Sequence, residues 1–388
     1  MAFRLYSRNQ SAYGITEESN ASVLDIIQPV TTNFPNLMSN SSANNEIEFK
    51  IQNVTIDQCS AIFLQLKIEN TTTGSVSLVQ SPLICESILE YSASNLVNEV
   101  RDQETYLTQQ LVLVDNMLIN KYGNFTGLNN DGVLDNTITI PSGTQQDVWV
   151  WFSNSFLTTT GVPISVLQNN WRIYFRLRTG NNLFTTTGVT GVQLNEAQLF
   201  MFGNRLTSSA KSALISKYPN GVTIPFNVWN RFDAPISLNP SSTYTQVLTT
   251  LLTNYCMMLC FIILPNPLTD GSSLVSYQTI SYFKQLNDIN GKNIIYNPSE
   301  GQFFNLQLFG QRLGELAYDE VYPFIFSSNI VSDLLTNSWH GSIALNQSNS
   351  VQFVTGSGLT AGNYTIYALA FRKAQVTISN GKATTTLL

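Results

Sequence analysis

Arg172-Ile173-Tyr174-Phe175-Arg176-Leu177-Arg178 alternates without a break, Ile173, Phe175 and Leu177 on one side and the arginines and Tyr174 on the other. A period of two sets one face on a core and the other toward water, the pattern of a half-buried antiparallel strand. Residues 61–69 repeat it, with Ile62, Leu64, Leu66 and Ile68 opposed to Phe63, Gln65, Lys67 and Glu69. Residues 46–51 follow, with Ile47, Phe49 and Ile51 inward. Residues 147–152 depart from the rule, because Val148, Val150 and Phe152 alternate with Trp149 and Trp151. A strand apolar on both faces is covered on both. For Trp149 and Trp151 the cover is either a helix of the same chain or another subunit.

Between such strands lie turn clusters: Thr71 to Gly74, Asn129 to Gly132, Pro141-Ser142-Gly143 and Thr179-Gly180-Asn181-Asn182. Many short strands punctuated this way indicate sandwiches or barrels, not βαβ units. Helices are exceptions. The spacing of Leu107, Leu111, Val114 and Leu118 predicts one over 106–122, capped at Gly123, and 208–218 reads as a short second one ended by Pro219. Residues 302–317 and 329–335 fit either state. Residues 1–44 are polar and poorly periodic, an extended arm with at most a short helix near 17–27. The rest divides into two comparable halves joined near 203–220. The expected echo pairs 46–56 with 222–232, and the Trp171 strand with the Tyr364 strand.

Composition removes several functions. Charged residues make up 11% of the 388, against roughly 25% in an average soluble domain, so uncharged polar groups must cover the surface. Nineteen basic and 25 acidic residues leave a formal charge of −6, with no basic run to form a phosphate-binding stripe. No nucleic-acid partner is expected. The single histidine, His340, nearly excludes nucleophile–His–acid triads and two-histidine metal sites. The arginines near the start precede no apolar run, so a secretory signal is not expected. The longest apolar run, 255–264, is half a bilayer-spanning helix, and no membrane crossing is expected. Cys59, Cys85, Cys256 and Cys260 form no CxxC pair. Cys256 and Cys260 fall on one strand about 13 Å apart, too far for a bridge. Buried free thiols are the main reading; a bridge involving Cys59 or Cys85, or a metal, is the alternative.

No constellation carries chemistry. His340 sits in Ser338-Trp339-His340-Gly341-Ser342 as a turn or packing residue. Gly356-Ser357-Gly358-Leu359-Thr360-Ala361 matches a dinucleotide fingerprint, but a strand follows where a helix N-terminus would have to hold the pyrophosphate. Ser208 and Lys211 have SxxK spacing without partner motifs. Glu99, Asp102, Glu104 and Glu315, Asp319, Glu320 are the densest acidic clusters of the two halves, the material a two-carboxylate glycosidase would need, and read as solvated loop charges. Asn-x-Ser/Thr triplets at Asn53, Asn70, Asn124 and Asn363 follow from composition. No catalytic residue, cofactor or metal ligand is expected. What the chain advertises is surface without charge and outward aromatics, which suits protein–protein contact.

Residues 140–154 (Ile-Pro-Ser-Gly-Thr-Gln-Gln-Asp-Val-Trp-Val-Trp-Phe-Ser-Asn) with Thr160-Gly161-Val162-Pro163 and 170–182 resemble the closing strands of the first jelly roll in tectivirus-like major capsid proteins. Residues 218–227, the apolar run 255–264 before Asp270-Gly271, and 322–378 resemble the second. The resemblance implies an all-β double jelly roll: two eight-stranded sandwiches side by side, a few short helices and an N-terminal arm. The expected divisions are arm 1–44, first roll 45–205, linker 206–219, second roll 220–380 and tail 381–388. It further implies no enzyme but a virion protein made in the host cytoplasm. Homotrimers with a pseudo-hexagonal outline would tile an icosahedral bacteriophage shell over an internal membrane, meeting penton or other minor capsid proteins. The arm would touch that membrane or a neighbour through Phe3, Arg4, Leu5, Tyr6 and Arg8. The alternative is a tandem β-sandwich carbohydrate-binding or viral attachment protein.

Overall fold

The computed structural model describes residues 21–39, 45–113, 137–159, 162, 164–167, 170–186, 188–217, 221–247, 255–287, 290–294, 320–345, 350–379 and 381–388. The first half holds strands β1 (Ala21–Ile27), β2 (Glu46–Ile51), β3 (Gln58–Asn70), β4 (Val76–Leu78), β5 (Cys85–Ser92), β6 (Asn95–Arg101), β7 (Ile138–Ile140), β8 (Thr144–Trp151), β9 (Trp171–Leu177) and β10 (Val192–Arg205). The second holds β11 (Val222–Leu238), β12 (Thr243–Val247), β13 (Tyr255–Pro265), β14 (Ile280–Gln285), β15 (Tyr322–Ile325), β16 (Ile343–Ala344), β17 (Ser350–Thr355), β18 (Gly362–Ser379) and β19 (Lys382–Leu387). Three α-helices are described: α1 (Asp102–Leu113), α2 (Ser208–Lys217) and α3 (Ile330–Thr336).

Among the described residues all strand pairs are antiparallel. In the first half, sheet β1-β10-β3-β8 faces sheet β2-β9-β5-β6, and β4 pairs β7 apart from them. In the second, β11-β18-β13-β15 faces β12-β17-β14, with β16 and β19 added to the larger sheet. The two halves repeat one order. β1, β10, β3 and β8 correspond to β11, β18, β13 and β15, while β2, β9 and β5 correspond to β12, β17 and β14. The duplication is real, but the expected echo is one strand out of step: β11 answers β1, and the Tyr364 strand answers β10, not the Trp171 strand. The reason lies in residues 21–27, expected as part of an arm with at most a short helix. They form β1, paired residue for residue with 199–205 of β10. Residues 381–388, expected as a tail, contain β19, paired with β18. Of the helix expected over 106–122, α1 covers the part within the described residues and begins at Asp102. Residues 302–317 lie outside them.

In sheet β11-β18-β13-β15, strand β13 is buried on both faces, which explains the long apolar run. Leu259, Phe261 and Ile263 of β13 enter the second sandwich with Phe283 and Phe353. Met258, Cys260, Ile262 and Leu264 point the other way, into the cluster continuous with the first sandwich. Phe156 crosses between the halves, stacked on Trp171 and edge-on to Phe226, each at 5.3 Å. The last strand adds a second tie: Ala383 N–H donates to Ser92 Oγ (2.9 Å), and Thr385 Oγ1 donates to the Val97 carbonyl (2.6 Å). At Gly203, where β10 slips register against β3, a Cβ would lie 2.1 Å from the Gln58 carbonyl oxygen, so the strands approach only because no side chain is there. All four cysteines are buried and free, and burial pushes the Cys256 thiol up to about 12.

Candidate assembly surface

The first sandwich has two outward faces of opposite character. On β2-β9-β5-β6, charges cancel across strands: Arg172 pairs with Glu48 (2.9 Å) and Arg176 with Glu46, beside edge-on Tyr91 and Tyr174. Arg172, Tyr174 and Arg176 face outward as the alternation of 172–178 anticipates, but Arg178, read as outward with them, is buried just past the end of β9.

The outward face of β1-β10-β3-β8 is aromatic. Register places Ile26, Phe200, Phe63 and Trp151 in one row across all four strands. Leu24, Phe202 and Ala61 form the row beside it, and Gln198, Gln65 and Trp149 the row on its other side. The half-buried rings lean on one another: Trp151 stacks on Phe63 at 6.4 Å, Phe63 meets Phe202 edge-on at 5.9 Å, and Trp149 meets Phe200 at 4.9 Å. Leu24 and Ile26 are 46% and 50% exposed on the edge strand. Among the described residues no strand pairs the outer edge of β1, and apolar side chains on an edge with neither Lys nor Pro in the strand are an invitation to pairing. Further along the sheet the face turns polar. Asp147 accepts from Gln65 Nε2 (2.8 Å), Lys67 pairs with Glu196, and Glu69 accepts from Gln193 and Asn195, which hold its carboxyl below the usual range. Three carboxylates stand against one ammonium, so this face is net negative.

Trp149 and Trp151 therefore sit together on this surface, with Phe63, which the alternation of 61–69 already turns outward. Phe3, Arg4, Leu5, Tyr6 and Arg8 lie outside the described residues. Leu24, Ile26, Phe200 and Phe202 escape a sequence reading. Residues 21–27 are apolar on both sides of the strand, and 198–202 alternate one apolar set with another.

The acidic cluster of the first half is not solvated loop charge. Glu99 stays at the surface with Arg101 (3.0 Å), but Asp102 and Glu104 open α1 in the junction between sandwiches. Asp102 is held by buried Arg178 from the end of β9 and by Arg231 of β11 (2.9 Å), and the Arg231 guanidinium lies 4.3 Å from the Tyr367 ring centre. Arg178 Nε also donates to the Leu83 carbonyl (2.8 Å). Glu104 accepts the Arg101 N–H through Oε2 (2.9 Å), while its Oε1 is buried without a hydrogen bond. Burial pushes the Glu104 carboxyl up to about 7. Sequence spacing cannot show this burial, because the two arginines that compensate it come from 76 and 129 residues away. Glu315 and Asp319 lie outside the described residues. His340 sets Nδ1 2.6 Å from Oδ1 of the fully buried Asp333, in the turn after α3. Lys211 of the SxxK spacing binds Asp57 (2.8 Å), and residues 356–361 lead directly into β18. Among the described residues no three His, Cys, Asp or Glu side chains are grouped to hold a metal, and no helix is long and apolar enough to cross a membrane.

Two sandwiches repeating one strand order, side by side across the doubly buried strand β13, is an arrangement with solved counterparts. VP54 of PBCV-1 is similar over 96% of this chain and 98% of its own, with a TM-score of 0.70 at 13% identity. The Faustovirus major capsid protein matches over 93% and 91%, with a TM-score of 0.64 at 9% identity. The major capsid protein of Sulfolobus Turreted Icosahedral Virus matches over 91% and 96%, with a TM-score of 0.51 at 13% identity. The fold is the double jelly roll. No family model matches the sequence, and no curated protein matches it. At such identities the likeness resides in backbone arrangement: double jelly rolls keep the layers and strand order while the residues filling them change.

Proposed function

We propose that this chain is a major capsid protein, a structural subunit of a virion and not an enzyme. The observation that carries the reading is the outward face of β1-β10-β3-β8 on a double jelly roll, where half-buried rings lie beside the exposed Leu24 and Ile26. A monomer gains nothing by holding Ile26, Phe200, Phe63 and Trp151 in a row beside water, whereas a subunit buries them against a neighbour. The low charge content agrees, since uncharged polar groups cost less to desolvate than ions when faces close. The working unit is a homotrimer whose six sandwiches give a pseudo-hexagonal outline and tile an icosahedral shell. Residues 1–20, ahead of β1, serve the base of the capsomer. There Phe3, Arg4, Leu5, Tyr6 and Arg8 offer aromatic and cationic groups to an internal membrane or a neighbouring trimer, and minor capsid proteins fill the remaining contacts.

Light scattering on the purified chain is expected to give a mass three times 43.1 kDa, unchanged over a hundredfold dilution. A monomer at every concentration would overturn the trimer and favour a tandem sandwich that binds glycans through its exposed rings. Deleting residues 1–20 is expected to leave the trimer intact and to reduce shell assembly on lipid vesicles, seen by electron microscopy. Shells assembling as well as those of the full chain would remove the arm from assembly.

A further inference from the structure

We propose that the aromatic face of β1-β10-β3-β8 packs on the outward face of β12-β17-β14 of the next copy. The inference rests on the trimer reading and adds which two surfaces meet. A closed ring of three identical copies cannot use one self-complementary patch. It repeats a head-to-tail contact between two unlike surfaces, one from each side of the subunit. The aromatic face supplies one of them. Against a second copy of itself it would set three carboxylates opposite three, so like charge opposes self-pairing.

The face of β12-β17-β14 has the complementary properties. Its inward side chains, among them Phe353, Phe283 and Ile280, fill the second sandwich core. Its outward side carries Thr243, Thr245, Gln352, Tyr282 and Val247, the last 49% exposed. The polar groups satisfy each other within the sheet, as where Gln352 Nε2 donates to Thr245 Oγ1 (3.2 Å). The one charge there is Lys284, which donates to Thr243 Oγ1 (2.9 Å) and lies 5.9 Å from the Tyr282 ring centre. Among the described residues Lys284 has no carboxylate partner, and no acidic side chain lies on these three strands. A sheet face whose one charge is an uncompensated ammonium suits an aromatic sheet face with excess carboxylate, and two such faces stack about 10 Å apart in sheet-on-sheet packing. The other outward face of the first sandwich fits less well. Its ion pairs already neutralise one another and would have to be desolvated.

Charge reversal tests the pairing, because Asp147 and Lys284 are both exposed and dispensable to the core. Asp147→Lys and Lys284→Glu are each expected to raise the concentration at which the trimer dissociates at least tenfold, read by mass photometry, with unchanged melting of the isolated subunits. The double variant is expected to recover to within about threefold of the parent. As a second probe, Val247→Asp is expected to weaken the trimer and Val247→Lys to be tolerated. A trimeric parent whose single variants are all equally trimeric would overturn the pairing and leave the trimer standing. Single variants that dissociate without rescue in the double would overturn it too. A monomeric parent would overturn both readings.

Discussion

Asp102→Ala is expected to cost about 3–5 kcal/mol of unfolding free energy, more than any single aromatic truncation on the outer face. Asp102 is the shared anion of Arg178 and Arg231, one from each sandwich, and both of its oxygens are engaged. Removing it leaves two guanidinium groups facing each other in a junction that water does not reach. Glu104 is not in place to take over: its Oε2 accepts from the Arg101 N–H, and among the described residues both arginines pair with Asp102 and not with Glu104. The measurement is urea unfolding at pH 7 and fixed protein concentration. Asp233→Ala serves as the contrast: its carboxylate is 3.8 Å from Arg231 Nε and half exposed, so its loss should register within about 1 kcal/mol. A cost for Asp102→Ala as small as that of Asp233→Ala would show that Arg178 and Arg231 do not need their shared anion. Gln103 extends the same junction, donating to the Leu274 carbonyl (3.0 Å) and accepting from the Tyr277 hydroxyl (2.9 Å). The start of α1 is thus the fastening between sandwiches, and its polar residues are buried because of that duty.

How much of this the sequence discloses depends on whether a residue's surroundings are local. Strands with one dry and one wet face announce themselves: β3 and β9 alternate as 61–69 and 172–177 do, and Lys67, Arg172 and Arg176 find partners in the next strand, whereas Arg178 past the strand end turns into the junction. Strands with two dry faces announce only that they are covered. The run 255–264 is such a case, one side filling the second sandwich and the other joining the first. β1 is the reverse failure. Val23 and Ile27 pack inward while Leu24 and Ile26 stay exposed, so no contrast marks a face and the segment reads as an arm. Without that strand the internal repeat shifts by one, since a duplication is matched from its first element. Trp149 and Trp151 are visible as unusual, but the two rows they join are assembled by register from strands far apart in the chain and exist only in three dimensions. Asp102 and Glu104 are hardest of all. A carboxylate's burial is decided by the cations that reach it, and nothing near 99–104 points to Arg178 or Arg231.

Glu104 makes that junction sensitive to pH in a predictable direction. Its carboxyl titrates near 7 in the folded chain, against 4.5 for an ordinary glutamate. Desolvation is the main cause, and neighbouring Asp102 adds to it while Arg231 and Arg101 pull the other way. Below pH 4.5 both folded and unfolded chains carry the proton, and Glu104 adds nothing to the pH dependence. Between 4.5 and 7 the unfolded chain releases the proton while the folded chain keeps it, so stability falls as pH rises. Above 7 the penalty is complete at about 3 kcal/mol, since each tenfold difference in proton affinity between the two states is worth ~1.36 kcal/mol. Glu104→Gln keeps an oxygen for the Arg101 N–H and cannot ionise. Relative to the parent it is expected to gain about 2–3 kcal/mol at pH 8 and to lose that advantage steadily toward pH 4.5, in parallel urea titrations. Glu90, buried in the first sandwich and also pushed up by its burial, contributes in the same direction in both proteins and cancels in the difference. A difference between variant and parent that stays flat from pH 4.5 to 8 would mean that Glu104 is ionised in the folded chain, with Arg231 outweighing its burial. A difference that grows with pH would make the fastening between the sandwiches weaker in alkaline than in acidic surroundings, through one carboxyl group that no ligand needs to touch.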